Sequence, residues 1–264
     1  MTEKLKMVAA LACRNAGSRL YAKPLQRLGD KMILQHMIDQ LHEVSLDPTF
    51  QQAYPFDLPI VLGISEGIEN LVFQDIAKKN HIGFIIGSEE DVQFRLLQCA
   101  HLGKADIILR LTTESPFTAW EYFPVALRTI IEEKWDLVTI RHLPDGSSFE
   151  LISYNALKRA HDQGNDQTRN ELCTKYFFTH PDEFKIKALD AKPEHQKPHY
   201  RLTVDYADDL VICNRIFTSL SKNGKFPSFD IVIKYINQHP ELMDQLAWID
   251  GTAGRSLVDI NKAS

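Results

Sequence analysis

Short apolar runs alternate along the chain with stretches of helical spacing. Met7–Ala12 has strand length and no polar residue. Over 31–44, Ile33, Leu34, Met37, Ile38 and Leu41 share one stripe, which predicts a helix. Further strands are expected at 59–64, 82–86, 106–111 and 137–140. Helices are expected between them at 70–80, 91–102 and 116–134. Ser115 and Pro116 are placed as N-cap and first residue of the last of these.

This strand–helix alternation predicts an α/β fold: a mainly parallel sheet with helices on both faces and right-handed crossovers. Ligands of such sheets gather at the C-terminal strand ends, near a switch in strand order. Beyond Arg141 the rhythm loosens. A short strand at 149–153, a helix at 155–161, a polar turn at 163–169 and an edge strand at 184–189 are expected. A charged loop at 190–199, a strand at 200–204 and helices at 209–220, 229–237 and 240–246 follow. The pattern reads as one domain over 1–250, its halves meeting near 140, with 251–264 as a tail.

Composition narrows the class. The 264 residues are 44% hydrophobic and 25% charged, ordinary for a globular protein, and the net charge is −5. That balance lacks the basic excess of a nucleic-acid binder. The four cysteines form no C-x-x-C pair and no H-E-x-x-H occurs, so common zinc and redox motifs are absent. Scattered thiols fit a reduced, cytoplasmic setting. No apolar run reaches membrane-spanning length. The run Met7–Cys13 follows Lys4 and Lys6 as a signal core would, but Arg14 ends it at once, so it reads as a buried first strand.

Candidate chemistry starts directly after that strand, in Ala12-Cys13-Arg14-Asn15-Ala16-Gly17-Ser18-Arg19-Leu20-Tyr21-Ala22-Lys23-Pro24-Leu25. Neither G-x-G-x-x-G nor G-x-x-x-x-G-K-[ST] is present. Arg14, Arg19 and Lys23 crowd one loop, either as a solvated basic turn or as a cradle for a polyphosphate. Three further segments stand near expected strand ends. Gly87-Ser88-Glu89-Glu90-Asp91-Val92-Gln93-Phe94-Arg95 offers Asp91 as a helix N-cap or a ligand contact. Arg110-Leu111-Thr112-Thr113-Glu114-Ser115-Pro116 offers Glu114 as a surface carboxylate or a metal ligand. Arg201-Leu202-Thr203-Val204-Asp205-Tyr206-Ala207-Asp208-Asp209-Leu210 offers Asp205 as an N-cap, a ligand, or both.

The first segment resembles the A-R-x-x-S-x-R-L-P-G-K-x-L signature of the cytidylyltransferase family, which includes the CMP-KDO, acylneuraminate and spore-coat polysaccharide types. The other three resemble its G-x-x-x-D-V-x-x-R, R-x-T-x-D-x-P and R-x-T-V-D-x-x-x-D-L. Ser148-Phe149-Glu150-Leu151-Ile152-Ser153, Arg169-Asn170-Glu171-Leu172-Cys173-Thr174 and Asn237-Gln238-His239-Pro240-Glu241-Leu242 resemble D-x-E-V-F-S, R-E-H-V-T and N-x-x-x-P-E-L less closely. The departures are Gly17 for serine, Tyr21-Ala22 for Pro-Gly, Glu114 for aspartate, Ser148 for aspartate and Leu172 for histidine.

The resemblance covers about 7–245. It implies a Rossmann-like fold of the nucleotide-diphospho-sugar transferase type and transfer of CMP from CTP to a sugar or sugar acid. Arg14 and Lys23 would be catalytic, with Ser18, Arg19, Ser88, Asp91, Arg95 and Arg110 also binding nucleotide. Glu114 and Asp205 would hold Mg²⁺, and Glu150 and Arg201 would face the acceptor. A homodimer is usual in the resembled family. The departures keep a second reading open, a degenerate relative that binds a sugar nucleotide or a protein partner. Another base than cytosine is a third, and a dinucleotide-dependent dehydrogenase a weak fourth.

Overall fold

The computed structural model describes residues 5–249 apart from 53 and 223. The tail expected at 251–264 lies outside them. The main strands are β1 (Leu5–Cys13), β2 (Ile60–Ser65), β3 (Gly83–Gly87), β4 (Ile107–Thr112), β5 (Leu137–Arg141), β6 (Glu150–Ser153) and β7 (Ile186–Asp190). They run in the order β7-β5-β6-β4-β1-β2-β3 within an eight-stranded sheet, whose remaining strand, Phe56–Asp57, pairs with the start of β1. β6 is antiparallel to both neighbours, and the other pairings are parallel.

Alternation along β1 explains the layers. Met7, Ala9 and Leu11 join one apolar cluster with helices Ile33–Leu46, Phe123–Glu132, Ala207–Leu220 and Phe229–Gln238. Val8 and Ala10 join a second cluster with helices Val92–Gly103 and Tyr154–Gln163 on the opposite face. A fully apolar β1 is thus what a strand covered on both faces requires. The chain lays β2 and β3 on one side of β1, then crosses to place β4 on the other. The switch in strand order therefore falls between β1 and β4, and the loops after both strands open at their C-terminal ends.

Several boundaries differ from the sequence reading. The helix expected at 116–134 begins only at Phe123, after a 3-10 turn Trp120–Tyr122. Ser115 does not cap it: its hydroxyl bonds that of Thr112 at 2.7 Å, and Pro124 takes the favoured first-turn position. Lys31–Met32 pairs with Arg27–Leu28 as a small hairpin, so the first helix starts at Ile33. The strand expected at 200–204 is reduced to a bridge between Asp145 and Arg201, because its main chain bonds Asp145 through Tyr200 and Leu202 and then turns to the Glu114 carbonyl through Val204. The expected helix at 240–246 is the short Glu241–Asp244. No helix among the described residues is long and apolar enough to cross a membrane.

Candidate active site

The loop after β1 folds tightly around Gly17, where a Cβ would lie 2.4 Å from the Leu20 carbonyl oxygen. Serine at this position would force the loop open, so Gly17 belongs with this particular turn. Ala22 holds φ 53° and ψ 43°, a left-handed conformation that normally favours glycine. Its amide donates to the Asn15 carbonyl at 2.8 Å, closing the loop. The backbone turn that glycine would adopt without strain at this place is therefore kept here by an alanine.

That turn aims two cations at one carboxylate. Lys23 Nζ lies 2.5 Å and Arg19 Nη2 3.1 Å from Asp205 Oδ1. The Arg19 guanidinium also stacks 5.4 Å from the Tyr206 ring centre. Arg14 points elsewhere, donating to Glu89 at 3.2 Å and to Glu171 at 2.7 Å.

Glu114 follows β4 directly, and its carbonyl accepts the Val204 amide at 2.9 Å. This bond joins the main chains that carry Glu114 and Asp205. Thr113 ties the same turn to β1 through the Ala12 carbonyl at 3.2 Å. Burial pushes the Glu114 carboxyl above the usual glutamate range. The Lys23 charge opposes that rise, and the negative charge of Asp205 adds to it. The fold thus brings Glu114, Asp205, Lys23 and Arg19 into one electrostatic group at the β1/β4 switch point.

A buried scaffold holds Asp205 in place. Asp209 is 0% exposed and takes Arg201 Nε and Nη2 at 3.0 Å each. Its Oδ2 also accepts the amides of Asp205 and Tyr206 at 3.0 Å. Tyr206, not Asp205, is therefore the N-cap of helix Ala207–Leu220, and the Asp205 side chain is left to face Lys23 and Arg19. Arg201 also reaches Asp145 at 3.0 Å and Asp205 at 3.6 Å. This engagement inside the protein, at 6% exposure, differs from the expected role toward an acceptor. Glu150 is bound in a similar way, to Arg110 at 2.8 Å across the β4–β6 pairing and to Thr174 at 3.0 Å.

Asp91 and Arg95 both have partners within the chain. Asp91 caps helix Val92–Gly103 through the Phe94 amide at 2.8 Å and meets His161 at 2.8 Å. Arg95 is buried and bonds main-chain carbonyls. The Ser88 hydroxyl accepts the Glu90 amide at 3.2 Å, and Ser18 is exposed on the first loop.

Sequence reasoning did not single out Glu89, Glu171 and Tyr206 as partners of the basic loop. All three lie in segments quoted for their resemblance, but nothing local in the sequence pairs them with the loop. A further group, Glu121, His195 and Asp230, has ligand atoms within 4.8 Å of one another. The carboxylates approach opposite ring nitrogens: Asp230 is 2.7 Å from Nε2, and Glu121 3.7 Å from Nδ1, where Tyr122 already bonds at 2.7 Å. The arrangement is a hydrogen-bonded relay that fastens helix Phe229–Gln238 to the loop around His195.

The model of the cytidylyltransferase family matches residues 9–238. The chain belongs to the cytidylyltransferase family. It is 23% identical over 240 residues to an uncharacterized protein of Methanocaldococcus jannaschii, covering 90% of this chain and 93% of the relative. It is 25% identical over 234 residues to the spore coat polysaccharide biosynthesis protein SpsF of Bacillus subtilis, covering 88% and 94%. Among solved structures, a cytidylyltransferase from Leptospira borgpetersenii superimposes with a TM-score of 0.76 at 21% identity. That match covers 90% of this chain and 97% of the other. This cytidylyltransferase is therefore an enzyme of the CTP-using nucleotidyl-transfer type, on the mostly parallel α/β fold of its structural neighbours.

Proposed function

We propose that this cytidylyltransferase moves CMP from CTP to a sugar or sugar acid, releasing pyrophosphate, as a step in making surface polysaccharide or glycan precursors. The observation that carries the reading is the meeting of Glu114 and Asp205 beside Lys23 and Arg19. The similarity to SpsF supports the sugar-related setting.

The basic loop would take the triphosphate. Arg14, Arg19 and Lys23 then face the β- and γ-phosphates and stabilise charge growing on the departing pyrophosphate. For this, Lys23 and Arg19 turn from Asp205 toward phosphate oxygens, while Tyr206 keeps the Arg19 guanidinium on its ring. An acceptor oxygen attacks the α-phosphorus in line, and orientation supplies much of the acceleration. No covalent protein intermediate is required.

Glu114 and Asp205 present only carboxylate oxygens, and the repulsion between them is what a hard divalent cation relieves, so the pair fits Mg²⁺. When bound there, Mg²⁺ supplies Lewis-acid charge to the phosphate oxygens. The partners implied are CTP and the acceptor, with no nucleic acid and no membrane. A homodimer follows the family habit.

Incubation with CTP, Mg²⁺ and a panel of sugar acids and sugar phosphates, read as pyrophosphate release, tests the proposal. Turnover with one acceptor class is expected. Tight CTP binding without turnover on any member would favour a binding protein, and a stronger response to UTP would reassign the base.

A further inference from the structure

Arg95 is among the largest fully buried side chains of the molecule, at 2% exposure. Buried guanidinium groups are normally matched by carboxylates. Arg201 illustrates the habit with Asp145, Asp205 and Asp209. Arg95 does not follow it. Its hydrogen bonds go to main-chain carbonyls alone: Gly63 at 2.7 Å, Glu89 at 3.3 Å and Cys13 at 3.5 Å. Its Nε has no partner. Among the described residues it forms no ion pair.

The chain has made room for it. A Cβ on Gly87 would stand 3.0 Å from Arg95 Cγ, and one on Gly63 would stand 3.5 Å from Arg95 Cβ. The tight contact is at Gly87 on β3, while Gly63 on β2 lies at ordinary contact distance and faces Cys99 Sγ more closely, at 3.3 Å. The carbonyls it holds are informative too. Cys13 precedes Arg14, and Glu89 supplies a carboxylate to Arg14. Arg95 thus fixes the main chain at two points that set where Arg14 stands, while adding a positive charge close to Arg14.

We propose that Arg95 is a positioning residue for that loop, and that its charge, which has no ion-pair partner among the described residues, is balanced by a polyphosphate anion bound to Arg14, Arg19 and Lys23. The inference rests on the reading of the loop as a triphosphate cradle, and it deepens that reading. It assigns part of the anion affinity to a side chain that need not touch the ligand. It also accounts for an orphaned donor in the core, a feature native proteins seldom keep without a use.

The test compares the wild type with Arg95→Lys and Arg95→Gln, using calorimetric binding of inorganic tripolyphosphate, melting with and without it, and the kcat and KM of CTP turnover. Arg95→Gln is expected to weaken tripolyphosphate at least tenfold and to raise KM for CTP more than it lowers kcat. Arg95→Lys keeps the charge but not the fork that grips the main chain, so it should fall between the glutamine variant and the wild type. Equal tripolyphosphate affinity in the glutamine variant and the wild type would overturn the inference, whatever its effect on melting. If the glutamine variant fails to fold, the lysine variant decides: a loss of threefold or more with a raised KM supports the positioning role, and wild-type affinity and KM overturn it. Tripolyphosphate binding that depends on Arg95, with no pyrophosphate released from CTP, would instead sink the transferase reading and leave this one standing.

Discussion

Arg14, on the exposed loop after β1 (the mouth of the candidate site), and Arg201, in the buried network behind Asp205 (its wall), each bind more than one carboxylate, but in different surroundings. Glu171, which holds Arg14 at 2.7 Å, keeps 68% of its side chain exposed. Asp209, which holds Arg201 through two bonds of 3.0 Å, is 0% exposed. Exposed pairs contribute roughly 0–1 kcal/mol, whereas removing one partner of a buried pair costs about 3–5 kcal/mol. The wall is therefore permanent structure and the mouth is exchangeable. A ligand phosphate can displace Glu89 and Glu171 from Arg14 cheaply, but it cannot draw Arg201 from Asp209.

The largest effect should come from breaking the wall. Asp209→Ala leaves a buried guanidinium with fewer partners and removes the acceptor for the Asp205 and Tyr206 amides. A loss of about 3–5 kcal/mol is expected in denaturant unfolding. A loss under about 1 kcal/mol would mean that this network is no more binding than the pairs at the mouth.

Asp205→Ala sits between the two regions. It frees Lys23 and Arg19 from their carboxylate, so CTP affinity measured without metal should hold or improve. Turnover should nevertheless fall by about 10²–10³, the size seen when one preorganised electrostatic contact is removed. A variant within tenfold of the wild type would show that Asp205 is only a counter-ion for the loop.

Glu114 adds a pH signature. Its carboxyl keeps its proton to a higher pH than an exposed glutamate. Below the ordinary glutamate range, about 4.3, the stability this neutral group brings is fully present. It is lost as pH rises through the elevated value. Stabilisation by Mg²⁺ should grow over the same interval, because only the ionised form binds. Glu114→Gln should flatten both trends in melting curves recorded from pH 4 to 8. Parallel trends in the variant and the wild type would remove Glu114 from the metal site.

The periodicity of the chain made the sheet legible because β1 and β2 are covered on both faces and carry the apolar runs Met7–Cys13 and Ile60–Ile64. Boundaries failed where particular hydrogen bonds override local preference. Ser115 is taken by Thr112, and the expected strand at 200–204 divides its main-chain bonds between Asp145 and Glu114. The basic loop was visible because three cations fall within ten residues. Its partners Glu89 and Glu171 were not, since they meet Arg14 only through the fold. Arg95 was legible as part of a motif but not as a buried group. Its place in the core is bounded by Gly87, whose spacing from it has no local meaning.

A smaller effect tests the strain in the loop. Ala22 at φ 53° carries about 1–2 kcal/mol of left-handed cost, while glycine adds about 0.5–1 kcal/mol of chain entropy. Ala22→Gly should therefore stabilise by up to about 1 kcal/mol, seen as a rise in melting temperature with the KM for CTP unchanged. A destabilised variant would mean that the Ala22 methyl packs well enough to offset its backbone.

The smallest effect concerns the mouth itself. In Glu171→Gln, Arg14 keeps Glu89 but loses its shorter ionic contact. Since such a pair contributes at most about 1 kcal/mol, CTP affinity should rise by no more than about fivefold. The gain should shrink as salt approaches 1 M, where the Debye length falls to about 3 Å. Calorimetry at low and high salt reads both features. A fall in affinity would give the opposite lesson: that Glu171 contacts the bound substrates, and that the mouth is as much a part of the site as the wall.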